Sequence, residues 1–254
     1  MRFTDENLQQ LIREHGEIQG KYQGLSDRFL SRGYNDARAY EHVTQGFLRR
    51  LETLVRCIDN VFKNIPPDQT DVPGRDELLD GAIGIQAFIF NVFGSIDNLA
   101  WIWVLEKHLK KADGSEISQG SIGLAPKYKR VRRSLSTPFQ DYLKGLDSWF
   151  EYLENYRHAL AHRIPLYIPP YTVPRSNEKA YRDFEVKKGE AVKRADAVGY
   201  DSLSAEQMKL VAFTPLIKHS FFEGSDPFVF HPQMMADFNT VLELGEKLLE
   251  ELDR

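Results

Sequence analysis

The sequence is poor in the features that would settle its class at once. It holds one cysteine, Cys57, so no disulfide can form within the chain, and a reducing compartment is expected. The neighbours Leu54, Ile58 and Val61 mark Cys57 as a small core residue rather than a nucleophile. Neither sign of charge dominates. The 33 basic and 37 acidic residues leave a net charge of −4, so any nucleic-acid footprint must be local. No hydrophobic run is unbroken. Residues 82–105 are the most apolar, but Gln86, Asn91, Ser95, Asp97 and Asn98 interrupt them, which predicts a buried helix and no membrane span. The first residues, Met-Arg-Phe-Thr-Asp-Glu-Asn, lack the apolar core of a signal peptide, so a cytoplasmic protein is expected. There is no internal repeat and no low-complexity tract.

What is present reads as helix. Thr4 precedes an amphipathic run to about Arg32, with Gly16 and Gly20 as points of bending. A second helix is expected over about 36–64, on a stripe of Phe47, Leu51, Leu54, Ile58, Val61 and Phe62. Residues 65–74 form a loop by their prolines and glycine. A third helix, about 76–111, is apolar on most sides, as suits the centre of a bundle, and Gly81 and Gly84 permit close contact. On it Asn91, Ser95 and Asn98 recur at i, i+4 and i+7 and share a face. They form either a structural hydrogen-bond network or the lining of a cleft. Pro138 opens a fourth long helix to about His162. Beyond Pro165 the chain is extended and proline-rich. A charged helix then covers 177–197, Ser204 caps a short turn, and a hairpin is expected around Glu223–Pro227. The last helix, about 232–252, is apolar enough to return to the bundle. The expectation is one all-α helical bundle of long antiparallel helices over 1–254. Its core is about 36–165 plus 232–252, and 166–231 is an insertion with minor β structure.

Two segments carry chemistry. Lys127-Tyr-Lys-Arg-Val-Arg-Arg133 places Lys127, Lys129, Arg130, Arg132 and Arg133 within seven residues. It is either a solvated face or a phosphate-binding patch. The second is Arg157-His-Ala-Leu-Ala-His162, at a helix end that Pro165 prevents from continuing. Arginine stays charged and fits phosphate oxygens, while histidine transfers protons near neutral pH. Together Arg157 and His162 could cleave a phosphodiester without a metal, with His158, Asn91 or Ser95 orienting them. The same residues also suit an ordinary helix C-terminus, where the dipole favours cations. A metal reading competes, because Glu154, His158 and His162 at i, i+4 and i+8 share a face and leave an open zinc position. Against it, the glutamate that follows the first histidine in zinc proteases is missing, and Arg157 adds a cation nearby.

An Arg-x4-His near the end of a late helix in a four-helix core, with a polar residue after the arginine, resembles the HEPN superfamily. Residues 90–99 are similar to the helix that packs beside that motif. The resemblance covers about 36–165, and the segment after Pro165 departs from the minimal pattern. It implies a homodimer whose two arginines and two histidines line one cleft. Catalytic members are metal-independent endoribonucleases of toxin–antitoxin, phage-defence and RNA-processing systems, without a cofactor. Others only bind RNA, nucleotides, an antitoxin or another protein partner. Carried over, Arg157 would stabilise the pentacoordinate phosphate, His162 would act as acid or base, and His158 would orient one of them.

Overall fold

The computed structural model describes residues 3–220, 222 and 227–254. It is an all-α bundle with a minor two-stranded sheet. Helix α1 is Asp5–Ser31, α2 Ala37–Glu41, α3 Leu48–Asn64, α4 Arg75–Glu106, α5 Lys129–Arg133, α6 Thr137–Gly145 and α7 Asp147–His162. The insertion holds α8 Glu178–Lys193 and α9 Ala197–Met208, and α10 Phe230–Leu252 closes the chain. A π turn, His42–Phe47, joins α2 to α3 without a break.

Helix α4 is the centre. It packs against α3, α10, α7, α2 and the π turn. Close contact with α3 depends on the small residues of its first turns. A Cβ on Gly81 would lie 2.7 Å from the Ile65 side chain, and one on Gly84 3.0 Å from Val61. Among the described helices α4 alone has the length and composition to cross a membrane, and 61% of its most apolar window is buried inside the fold. Helix α10 packs on α4, α1 and α3, so the helices expected to share one core do so. Helix α1 also belongs to that core, which extends the expected boundary. Its Leu11, Ile18, Leu25 and Phe29 are buried, and it runs uninterrupted through Gly16 and Gly20. Cys57 is buried, and burial pushes its thiol up to about 11.

Several boundaries differ from the sequence reading. The helix expected over 138–162 is two, α6 and α7, parted at Leu146, whose backbone (φ −95°, ψ 4°) leaves the helical region. Helix α4 stops at Glu106 rather than Lys111, because His108 takes the left-handed conformation (φ 48°) that ends a helix. Ala195 (φ 53°) does the same after α8. Ser204 lies inside α9, and the cap is Asp196, which accepts from the Gly199 amide. In the insertion, 167–172 and 212–218 approach through isolated bridges at Tyr167–Lys218 and Thr172–Ala212. Strand β1 (Leu216–Ile217) pairs antiparallel with β2 (Phe228–Val229), Leu216 opposite Val229. The expected turn at 223–226 lies outside the described residues.

The ends of α1, α4 and α10 meet at one buried carboxylate. Glu106 accepts from the Asn35 and Asp36 amides at 3.0–3.3 Å and faces Arg32 at 3.4 Å. Arg32 also binds Asp253 and the Leu252 carbonyl. Burial alone would raise the Glu106 pKa, but the two amides and Arg32 outweigh it and hold it low. A depressed pKa means that the charge stabilises the fold above the unfolded value of 4.5 and stops doing so as pH falls through the folded value. Glu106→Gln should therefore cost roughly 1–3 kcal/mol in urea unfolding at pH 7. The deficit should shrink below about pH 4.5. A deficit constant from pH 7 to pH 3 would contradict this role.

Candidate functional site

Helix α4 is apolar around most of its girth, but one stripe is not. At about 100° per residue, Asn91, Gly94, Asp97, Asn98 and Trp101 fall along one side. That side faces the π turn and α3 on one flank and α7 on the other. The polar groups are met by charged and aromatic side chains from those elements. Arg50 on α3 crosses α4 at Gly94, donating from Nε to Asn98 Oδ1 and from Nη1 to Asn91 Oδ1, both at 3.0 Å. A methyl group on Gly94 would run into the Arg50 guanidinium. Arginine only donates, so Asn98 must turn its amide nitrogen to His42 Nδ1, 3.1 Å away, which then accepts. The His42 ring stacks on Trp101, centroids 5.2 Å apart and planes within 3°. Burial lowers the His42 pKa, consistent with a neutral acceptor.

The π turn makes this arrangement possible. Its wider coil brings both His42 and Gly46 to α4, and a Cβ at Gly46 would lie 2.5 Å from the Asn98 amide nitrogen. Helix α7 supplies the other flank. The half-buried Arg157 lies over Phe93, its guanidinium 4.6 Å from the ring centroid. Among the described residues it makes no hydrogen bond or ion pair.

Around α4, Asp97 falls at an angle between Phe93 and Gly94, four and three residues on from them. Its carboxylate also makes no hydrogen bond or ion pair among the described residues. Burial pushes its pKa up to about 6, outweighing the attraction of Arg157, Arg50 and Lys127.

The sequence reading meets this geometry unevenly. Asn91 and Asn98 join the network, but Ser95 does not. It lies about 40° and 60° around the helix from them, is fully buried, and its Oγ has no partner. Arg157 and His162, five positions apart, diverge by about 140° on α7, so the single chain does not bring them together. His158 and His162 share the outer face, rings 6.0 Å apart, with Glu154 3.7 Å from His158. Glu154 is held by Lys127 at 2.5 Å, which keeps its pKa low. Among the described residues no three His, Cys, Asp or Glu side chains are placed to hold a metal ion. That removes the support for a zinc site at Glu154, His158 and His162.

The basic run is not one open patch. Arg132 turns inward, binding the Leu124 carbonyl at 2.6 Å and Asp147 at 2.7 Å and lying against Phe150, so it ties the α5–α7 corner together. Arg130 donates to the Lys110 carbonyl. Lys129 and Arg133 are exposed. Lys127, Lys129 and Arg130, with Lys111 and Tyr128, line a cavity of about 450 Å³. The residues missed in the sequence are His42, Gly46, Arg50 and Phe93, and Asp97 was noticed only as an interruption. The signal present for Asp97 is a carboxylate directly before Asn98 in the apolar middle of a central helix.

No family model matches the chain, and no curated protein or solved structure matches it.

Titration followed by NMR should place the His42 imidazole below 6.5 and the Asp97 carboxyl near 6. An Asp97 carboxyl titrating at 3.8 or lower, or His42 at or above 6.5, would contradict this account of the stripe.

Proposed function

We propose that this chain is a HEPN-type protein that binds single-stranded RNA and cleaves its backbone without a metal ion. One observation carries the reading. Arg157 is a half-buried guanidinium that finds no acceptor among the described residues, on the helix whose last residue is the exposed His162. A cation partly removed from water and left unpaired favours an anionic ligand. The resemblance of the Arg157–His162 segment to the HEPN motif supplies the ligand class, a phosphodiester.

RNA needs little further help. The ribose 2′-oxygen attacks the adjacent phosphorus as a base takes its proton. The P–O5′ bond breaks, and an acid protonates the leaving 5′-oxygen. The products are a 2′,3′-cyclic phosphate and a 5′-hydroxyl. Arg157 neutralises the charge that builds on the phosphate, His162 is the acid, and His158 orients the pair. Because Arg157 and His162 point apart on α7, the reading includes a homodimer in which the second copy supplies a histidine over the first copy's arginine. The same divergence favours a second reading, an RNA-binding module that does not cut.

Wild-type protein should cleave mixed-sequence RNA in EDTA and run as a dimer by light scattering. His162→Ala should slow cleavage roughly 10²–10⁴-fold, and Arg157→Ala should weaken both binding and turnover. RNA bound but left intact in EDTA and in magnesium would establish the second reading. RNA neither bound nor cut would refute both, and a monomer would refute the shared site.

A further inference from the structure

The stripe on α4 holds more charge than the Arg157–His162 motif accounts for. Arg50 has no part in that motif, yet it is fixed by two asparagines and given room by a glycine. It crosses α4 at Gly94, and Arg157 lies over Phe93, about 100° around the helix. Asp97 is one turn further on, at an angle between those two, and both arginines act on its charge. Three half-buried charges thus act on one another across one side of α4, and among the described residues neither Asp97 nor Arg157 makes a hydrogen bond or ion pair. Arg50 uses Nε and Nη1 on its asparagines and has Nη2 to spare.

We propose that Arg50 and Arg157 hold one phosphate group between them, and that Asp97 is a built-in competitor whose negative charge this phosphate must displace or neutralise. That the phosphate belongs to RNA rests on the function proposed above. The competition itself rests only on the three side chains.

The free protein then tolerates two guanidiniums at one place because Asp97 partly balances them. An arriving phosphate brings its own charge to the same cations. Two anions within a few ångströms repel strongly in a partly dry site, so the phosphate binds best when Asp97 carries a proton. Asp97 in the free protein titrates near 6, so phosphate binding above that pH should take up a proton. The charged groups acting on Asp97 are Arg157 on α7, Arg50 on α3 and Lys127 ahead of α5. Lys127 is itself tied to Glu154, beside His158. His42, on the π turn, reaches the site through Asn98.

The test is fluorescence anisotropy with a labelled 2′-O-methyl RNA strand, which cannot be cleaved, so that binding is read apart from turnover. Wild-type affinity should fall as pH rises from 6 to 8, by up to about tenfold per unit. Asp97→Asn should bind about tenfold or more tighter than wild type at pH 8 and lose most of that slope, any remainder belonging to the histidines. Arg50→Ala should weaken binding as Arg157→Ala does. Gly94→Ala serves as a second probe of Arg50. It adds a helix-favouring methyl group and keeps every charge, yet displaces the guanidinium, so affinity should fall while helix content stays. Unchanged or weaker binding by Asp97→Asn at pH 8 overturns the proposal, as does wild-type affinity in both Arg50→Ala and Gly94→Ala. If the wild type does not bind RNA, the function proposed above fails, and inorganic phosphate is titrated in its place. Tighter phosphate binding by Asp97→Asn would then sustain the competition, and no gain would overturn it.

Discussion

Burying a helix that is apolar on nearly every side requires neighbours on nearly every side. Helix α4 meets that constraint with α3, α10, α7, α2 and the π turn, and the positions of the other long helices follow from it. The same burial creates a polar problem. Asn91, Asp97 and Asn98 lie on a stripe that apolar neighbours cannot satisfy. Arg50 and His42 answer the asparagines. Among the described residues Asp97 is left without a hydrogen bond or ion pair, and so is Arg157, whose charge acts on it. The candidate site is therefore a by-product of how the central helix is covered.

This explains which parts could be read in advance. Apolar stripes at helical spacing located α1, α3, α4 and α10, because burial of those residues dominates the energetics. His108 ends α4 with no glycine or proline to mark the place, through a left-handed backbone. At the break between α6 and α7 Gly145 does stand next to Leu146, but the apolar stripe runs on past it and hides the boundary. The π turn has no sequence signature, so His42, Gly46 and Arg50 could not be assigned to α4. Ser95 is turned about 40° from Asn91 on the side away from Asp97 and Trp101, and that side of α4 is buried.

The charged residues repeat the point at the level of chemistry. Five cations in seven residues suggested a binding strip, yet Arg132 spends its donors on the Leu124 and Leu143 carbonyls and on Asp147. Proximity in sequence says nothing about which cation is engaged internally. The Arg157–His162 pairing has the opposite history. It reads as a unit along the chain, but helical geometry turns the arginine to α4 and the histidine to solvent. Arg157 meets Phe93, far back in the chain on α4, and His162 does not join it there.

The central claim is that the α4 stripe, with Arg50 on one side and Arg157 on the other, is where the protein holds an anion. A crystal structure of the full chain with an uncleavable single-stranded RNA tests it most directly. The account predicts a backbone phosphate between the Arg50 and Arg157 guanidiniums, within hydrogen-bonding distance of both, with His162 of a second copy approaching it. An RNA strand seated instead in the cavity of Lys111, Lys127, Lys129 and Arg130, with both guanidiniums left as they are now, would contradict it.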